Sequence, residues 1–271
     1  MLVALAVVLV FMLVVMTAAW ATVLKANNSG WTDVFWTFGT GVSGVVAALS
    51  PWTWIDGTGA PSARQMLVAA LVAIWAIRLG SYIAIRVTRT EEDSRYKMLK
   101  DQWAQHFGRN LFGLCIVQAP ATTLLCASIA AAALRPGEGL TPTDFIGAAI
   151  LMIAIAGEGL ADQQMKAFRT MEANHGKVMD KGLWGLSRHP NYVFEWFGWV
   201  AYPIMAIDLT SQWAWGWAAL IAPIVMYLIL TRLTGVPPLE AAMIKSRGRS
   251  YEDYQKRVGG FFPRLYKPEG T

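Results

Sequence analysis

The sequence has little charge for its length. Only 15% of its 271 residues are Asp, Glu, Lys or Arg, and 55% are hydrophobic, whereas soluble domains carry about 25% charged residues. This shortage excludes an ordinary water-soluble domain. Apolar runs long enough to cross about 30 Å of hydrocarbon need roughly 20 residues. They predict an all-α polytopic membrane protein with seven transmembrane helices, near 2–23, 33–50, 65–85, 110–134, 142–161, 191–208 and 213–231.

Cysteines and nucleotide-binding motifs are scarce as well. The two cysteines, Cys115 and Cys126, lie in the fourth predicted span without a CxxC pattern, which argues against a disulfide framework and a metal site. No GxGxxG sequence occurs, which excludes the Rossmann fingerprint for dinucleotides. Because no linker or internal repeat divides the chain, we predict a single seven-helix domain over 1–271.

The charge that is present is distributed unevenly. With the amino terminus outside, the cytoplasmic segments 24–32, 86–109, 162–189 and 232–271 hold 20 of the 23 Lys and Arg. The positive-inside rule therefore predicts the amino terminus outside and the carboxyl terminus in the cytoplasm. The basic excess alone is also typical of topogenic charge and attraction to anionic lipid. Because the longest polar segments are cytoplasmic, we expect the functional surface there.

The carboxyl-terminal tail, 232–271, carries helix signals of its own. Helix-forming residues follow Pro237–Pro238, a turn is predicted at Arg247–Gly248, and a second short helix is predicted around Ser250–Val258. Two interpretations stay open. The tail either lies at the membrane interface or closes over a bound ligand.

Four ionisable residues form one stripe at the end of the fifth predicted span. Glu158, Asp162, Lys166 and Arg169 are spaced 4, 4 and 3 apart, which places them on one face of a continuous helix. Ionisable groups at membrane depth indicate function unless they are paired or hydrated. The stripe is either a ladder of i,i+4 pairs or part of a ligand site that is anion-binding at its outer end.

Other cations are predicted at the same membrane depth. Arg78 and Tyr82 are one turn apart near the cytoplasmic end of the third span, and Arg232 closes the seventh, where it could also be an interfacial anchor. Arg188 precedes Pro190, a first-turn residue, so a helix N-terminus with free N–H groups is expected beside it.

At the start of the same helix, Asn191 and Glu195, which are one turn apart, bring an amide and a carboxylate into the sixth span. They suit either capping or contact with a bound carboxamide. A ligand that matches all these groups is long, polyanionic at one end and carries a carboxamide. NADPH has these properties.

At these residues the chain resembles the steroid 5-alpha-reductase family. The resemblance is carried by "RLGSY" (Arg78–Tyr82), "EEDSRY" (Glu91–Tyr96), "RHPNYVFEW" (Arg188–Trp196) and the tail "SRGRSYEDYQKRVGGFFP" (Ser246–Pro263). "RHPNY" alone is shared with isoprenylcysteine carboxyl methyltransferases and sterol reductases. The resemblance implies a seven-helix enzyme that binds NADPH from the cytoplasmic side and reduces the Δ4 double bond of a 3-oxosteroid.

The resemblance also implies site residues. Family cofactor contacts match Arg78, Tyr82, Asp162, Arg169, Asn191, Tyr192, Glu195 and Arg232, to which the charge pattern adds Lys166 and Arg188.

The proton donor does not follow from the resemblance. Where eukaryotic members of the family have a catalytic tyrosine, this chain has Trp75. Tyr82 and Asp33 are the candidates for the catalytic donor. Trp20, Trp36 and Trp75 could line an apolar cavity that admits a steroid-like substrate from the lipid, or they could be interface anchors.

Two other classes remain open. A membrane methyltransferase would bind S-adenosylmethionine, whose cationic groups favour carboxylates and aromatic faces rather than Lys and Arg. A transporter or lipid-binding bundle would spread its polar groups over both leaflets. We expect an integral protein of a bacterial inner membrane, monomeric, with its active site facing the cytoplasm, lipids as neighbours and no nucleic acid or metal partner.

Overall fold

A computed structural model describes residues 1–53, 55, 57, 59–89, 92, 94–210 and 212–264. The regular elements of these residues are helical, with one isolated parallel bridge between Ser187 and Gly259. In chain order the α-helices are α1 Leu2–Ala26, α2 Trp31–Ala48, α3 Ala63–Arg89, α4 Ser94–Trp103, α5 Phe107–Ile116, α6 Gln118–Ala133, α7 Pro142–Thr170, α8 Pro190–Ala206, α9 Ile221–Leu228, α10 Val236–Arg247 and α11 Arg249–Arg257.

Among the described residues, five helical stretches are long and apolar enough to cross a membrane: Leu2–Ala26, Ala63–Arg89, Tyr96–Ala133, Pro142–Thr170 and Ala214–Arg247. The prediction of an all-α chain is confirmed for the described residues, and an integral membrane protein is consistent with these stretches. The second and sixth predicted spans fall on α2 and α8, which are only 18 and 17 residues long. The total of seven spans and their orientation stay predictions.

The chain divides into two compact units. The first contains residues 1–149 and 199–225, and the second contains residues 150–198 and 226–271, of which the described part ends at 264. Both α7 and α8 contribute residues to each unit. The predicted single domain is not tested by this division.

Small residues bring α2 and α3 together in the first unit. A Cβ atom added to Gly41 would lie 2.2 Å from the Cβ of Ala76, and one added to Gly80 would lie 2.7 Å from the Phe38 ring. Glycine at such positions lets two helix backbones approach closely, as in many membrane helix pairs. The glycines of the second predicted span therefore serve packing between helices.

The first unit also contains a buried ion cluster, which we call the Asp144 cluster, formed by Arg64, Arg135 and Asp144. Arg64 Nε lies 3.0 Å from Asp144 Oδ1, and Arg135 Nη2 lies 3.0 Å from Asp144 Oδ2. Arg64 also donates to the carbonyl of Arg135 at 2.7 Å and to that of Gly139 at 3.1 Å. The cluster ties the start of α3 to the start of α7 and to the connection that precedes α7.

The second unit is built around the end of α7. This helix runs without a break to Thr170, so the predicted stripe does lie on one continuous helix. Trp184, in the connection from α7 to α8, donates through Nε1 to the Ala161 carbonyl at 3.0 Å, and the Gln164 side chain accepts from the Leu183 N–H at 3.0 Å. The connection is thereby held against α7.

The tail forms the two helices that the sequence predicts, α10 and α11. Gly248 separates them with a φ of +53°, a left-handed conformation that glycine adopts without strain. Beyond α11, Phe261 and Phe262 pack edge-on against Trp196 of α8, with ring centroids 6.1 and 5.4 Å from its ring. The described tail is therefore a packed part of the second unit.

Candidate functional site

The tail joins the segment before α8 through backbone and side-chain hydrogen bonds. The Arg188 N–H donates to the Gly259 carbonyl at 2.9 Å, and the Ser187 hydroxyl donates to the Phe261 carbonyl at 2.6 Å. Arg188 Nη1 donates to the Val258 carbonyl at 2.6 Å. These bonds fix the start of α8 relative to the end of α11.

A carboxylate cluster, which we call the Glu240 cluster, completes this junction with Arg188 and His189. Glu240 Oε1 accepts from Arg188 Nε at 2.7 Å and lies 3.1 Å from His189 Nε2, and Glu240 Oε2 accepts from Gln255 Nε2 at 2.9 Å. One carboxylate thus connects α10, α11 and the residues before α8.

Burial dominates the electrostatics of His189. The side chain is only 1% exposed, and this burial holds its pKa below the ordinary value, although the Glu240 carboxylate acts in the opposite direction. The ring is therefore neutral at pH 7, with Nε2 positioned to donate to Glu240. Nδ1 is buried and has no hydrogen-bond partner among the described residues.

A pocket of about 170 Å³ lies within the second unit, beside this junction. Its wall is formed by the end of α7, the connection between α7 and α8, and the two tail helices. Basic groups and large apolar groups share the wall: Arg169, His175, Lys177, Arg188, His189 and Arg247 with Met165, Phe168, Val178, Met179, Trp184, Leu239, Met243, Tyr251 and Tyr254, besides Asn174 and Gly176.

The lining contains no Asp or Glu in the part of the chain that the structure describes. Four of its side chains are Arg or Lys. A basic wall without carboxylates favours an anionic ligand, and Arg and Lys form the stronger, charge-assisted hydrogen bonds with phosphate oxygens. The apolar faces of Phe168 and Trp184 suit a planar ring next to that anion.

Most of the predicted site residues lie in the second unit, but few of them reach this pocket. Arg169 and Arg188 line it, although Arg188 is largely engaged by the tail. Tyr192 stacks on the His189 ring at a centroid distance of 5.7 Å. Lys166 and Arg232 are exposed, Asn191 is half-buried, and Asp162 and Glu195 are buried together with Glu158 of the stripe.

The buried carboxylates of Glu158, Asp162 and Glu195 each interact with a neighbouring group. Both interpretations of the stripe, a paired ladder and a ligand site, are compatible with that. The predicted roles of Asp162 and Glu195 stay predictions.

The other predicted residues belong to the first unit. Arg78 Cζ lies 5.7 Å from the centroid of the Tyr82 ring, a cation–π geometry. Asp33 Oδ1 accepts a hydrogen bond from the Tyr96 hydroxyl at 2.8 Å, and Tyr96 is buried. The proton-donor candidates, Tyr82 and Asp33, are therefore both engaged within their own unit.

The tryptophans predicted to line a substrate cavity lie inside the first unit. Trp75 is 5% exposed and packs edge-on against Trp36, with ring centroids 6.3 Å apart. Trp36 Nε1 donates to the Thr122 hydroxyl at 3.0 Å, and Trp20 Nε1 donates to the Gly108 carbonyl at 2.8 Å. Trp75 is thus a core residue rather than an interface anchor.

Sequence reasoning missed Lys177, His189 and Arg247 as members of the site. Lys177 lies in a connection and Arg247 ends a tail helix, so neither belongs to a periodic pattern. A usable signal existed for His189, because it stands in "SRHPNY" directly before a predicted helix N-terminus.

The described residues form a helical protein whose long apolar helices are consistent with an integral membrane protein, and its second unit has a basic pocket formed by α7, α10, α11 and the α7–α8 connection. The chain belongs to the family described as "Protein of unknown function (DUF1295)", whose model matches residues 19–258. That family includes steroid 5-alpha-reductase-like membrane proteins.

A curated relative is the uncharacterized protein C594.04c of Schizosaccharomyces pombe (strain 972 / ATCC 24843). It is 28% identical over 236 residues, and the match covers 77% of this chain and 66% of the relative. The chain therefore spans slightly less than two thirds of that relative's length. No solved structure matches the chain.

Proposed function

We propose that the protein is a membrane-embedded oxidoreductase that transfers a hydride from NADPH to the C=C bond of an apolar enone. The Δ4 double bond of a 3-oxosteroid is the substrate to test first. The observation that carries the proposal is the basic lining of the second unit's pocket, which has no carboxylate among its described residues. Membership in a family with steroid 5-alpha-reductase-like proteins supports the same activity.

The donor groups of the pocket fit one end of NADPH. Arg169, Lys177 and Arg247 would hold phosphate oxygens, and Phe168 and Trp184 would contact a ring. A volume of about 170 Å³ is below the 300–1,000 Å³ of sites that enclose a whole small molecule. The pocket therefore holds part of a dinucleotide, and the remainder extends beyond it.

The buried groups near the start of α8 would position the reactive end. When bound, NADPH supplies the hydride. We expect Glu195 and Asn191 to hydrogen-bond the carboxamide, since a buried carboxylate accepts from an amide N–H and an Asn side chain both donates and accepts. Glu195 is buried, which keeps water away from its hydrogen bond with the carboxamide and strengthens it.

The substrate must also receive a hydrogen bond or a proton at its carbonyl oxygen. A preorganised donor at this position contributes roughly 3–4 kcal/mol in water-excluded sites. Tyr82 is one candidate. Asp33 is the other, and its hydrogen bond with the Tyr96 hydroxyl at 2.8 Å gives it a defined orientation.

The chemistry of the pocket also bears on the alternative, a methyltransferase that uses S-adenosylmethionine. The sulfonium and amino groups of that cofactor are cationic, so they would be repelled by Arg169, Lys177 and Arg247. A site for it would be expected to present carboxylates. For this reason the reductase is the better-supported proposal.

The decisive experiment is an assay of NADPH oxidation with the full chain in detergent or nanodiscs. A 3-oxo-Δ4 steroid and several other apolar enones serve as substrates, NADH serves as the alternative cofactor, and S-adenosylmethionine binding is measured in parallel. We expect enone-dependent oxidation of NADPH and no binding of S-adenosylmethionine. Binding of S-adenosylmethionine without any enone-dependent oxidation would contradict the proposal.

A further inference from the structure

Two cations of the pocket have no carboxylate partner. Lys177 and Arg247 form no ion pair within the described part of the chain, and the buried Nε atom of Arg247 has no hydrogen-bond partner there. Arg257, at the end of the neighbouring tail helix, differs because it pairs with Asp180 at 3.1 Å. The unpaired charge of Lys177 and Arg247 therefore lies at the wall of the pocket.

Three separate segments bring cations to this pocket. Arg169 comes from the last turn of α7, Lys177 from the connection between α7 and α8, and Arg247 from the end of α10. A basic residue in the last turn of a helix is favoured by the helix dipole. The dipole explains Arg169 and Arg247 individually, but it does not explain why both line the same cavity together with Lys177.

The number of cations points to a particular kind of phosphate. A phosphomonoester carries a charge of about −1.5 to −2 at pH 7 and presents three terminal acceptor oxygens. A phosphate inside a diester or pyrophosphate linkage has fewer free oxygens and about one negative charge. Three cations from three directions match the monoester better than the linkage.

We propose that Lys177 and Arg247, together with Arg169, form a subsite for a phosphomonoester that is attached to a planar base. The base would lie on the apolar wall that Phe168, Trp184 and Tyr251 provide. This inference rests on the proposed function, in which the group would be the ribose 2′-phosphate of NADPH. Lys177 and Arg247 would then be the residues that select NADPH over NADH.

The experiment measures equilibrium binding to the purified full chain and needs no turnover. Adenosine 2′-monophosphate is titrated against adenosine and inorganic phosphate, in nanodiscs of zwitterionic lipid. We expect adenosine 2′-monophosphate to bind at least tenfold more tightly than either of its parts. The charged hydrogen bonds that Arg247 would contribute correspond to roughly a tenfold to hundredfold loss of affinity in Arg247→Gln.

Lys177→Gln should have a smaller effect, about threefold to tenfold, because the side chain is exposed and its charge is screened. Two matched controls carry the same chemical change outside the pocket: Arg257→Gln, also at the end of a tail helix, and Lys181→Gln, in the same connection as Lys177. Both should bind adenosine 2′-monophosphate like the wild type. Because Lys177 is exposed, its variant tests the subsite even if Arg247→Gln fails to fold.

A second lipid composition separates two sources of the same phosphate. Phosphatidic acid carries a phosphomonoester without a base, so nanodiscs that contain it test a lipid headgroup as occupant. We expect it to leave the affinity for adenosine 2′-monophosphate within about twofold, which is our criterion for no competition. Competition by phosphatidic acid, with no preference for the nucleotide over inorganic phosphate, would overturn the inference.

The same variants separate this inference from the proposed function. If NADPH is oxidised but both pocket variants keep the wild-type preference for NADPH over NADH, the subsite is wrong and the reductase stands. If adenosine 2′-monophosphate binds in an Arg247-dependent way but no enone is reduced, the subsite stands and the reductase is wrong.

Discussion

Two arginine–carboxylate clusters differ in what surrounds them. In the Asp144 cluster of the first unit, the carboxylate is completely buried and accepts from Arg64, Arg135 and both the N–H and the hydroxyl of Thr141. In the Glu240 cluster of the second unit, His189 Nδ1 has no partner among the described residues. The adjoining pocket contains two cations, Lys177 and Arg247, that form no ion pair with a described carboxylate.

The difference separates charge that maintains the fold from charge that is available to a ligand. A buried ion pair is tolerated when hydrogen bonds satisfy every polar atom, as at Asp144. A buried polar atom without a partner costs about 1–3 kcal/mol, and Nδ1 of His189 is such an atom on a residue that lines the pocket.

The largest effect is expected from breaking the Asp144 cluster. Asp144→Asn leaves Arg64 and Arg135 buried without a countercharge, which should cost about 3–5 kcal/mol of stability. Thermal unfolding in detergent would measure the loss. Asp253→Asn is the control, since its ion pair with Lys256 is exposed at the surface and such exposed pairs contribute little to stability. Equal melting temperatures for the two variants would show that the Asp144 cluster is not structural.

A smaller loss of stability, combined with a loss of binding, is expected from Glu240→Gln. The amide cannot accept from Arg188, His189 and Gln255 as the carboxylate does, which should cost about 2 kcal/mol. Because these bonds hold the tail, hydrogen exchange should accelerate in α11 and NADPH affinity should fall. Unchanged protection of α11 in this variant would mean that the Glu240 cluster does not anchor the tail.

Removing one cation from the pocket should affect binding but not stability. Arg169 is exposed, so Arg169→Ala should raise the apparent KM for NADPH by about threefold to tenfold and leave the melting temperature unchanged. The apparent KM for NADH should rise less. An equal rise of KM for NADPH and NADH would mean that Arg169 does not contact the 2′-phosphate, which is the group that distinguishes the two nucleotides.

The smallest effect is expected from a change of pH between 8 and 5, and it should arise from His189 in the second cluster. The pKa of His189 is lowered from its ordinary value of 6.5 by burial, so the unfolded chain takes up a proton at a higher pH than the folded chain does. The contribution of the neutral His189 ring to the free energy of unfolding is therefore fully present above about pH 6.5. This contribution is lost as the pH falls from there towards the pKa of the folded state.

Unfolding measured between pH 8 and pH 5 would test this, with His189→Asn as the variant that lacks the titrating ring. The wild type should lose more stability over this range than the variant. Parallel pH profiles for the two proteins would contradict the assignment of a neutral, buried His189.

The parts of the structure that follow from local sequence were predictable. The continuous helix beneath Glu158 and Arg169 follows from their spacing, and the tail helices follow from Pro237–Pro238 and from the glycine at 248. Local patterns act over three or four residues. Such signals fix where a helix begins, ends and presents its polar face.

Pairings between distant residues were not predictable from one sequence. Arg64 and Asp144 form a buried ion pair, yet they are 80 positions apart in the chain. Lys177 and Arg247 meet at one pocket for the same reason, because the turns after α7 and α10 bring their segments together. A periodic sequence pattern does not predict such a contact between distant segments.

Calorimetric titration of NADPH and NADH into the purified full chain tests the central claim most directly, because it measures whether the second unit's pocket recognises a phosphorylated nucleotide. We predict that NADPH binds at least tenfold more tightly than NADH and that Arg247→Gln removes most of the difference. Equal affinities for the two nucleotides, or no binding of either, would contradict the account.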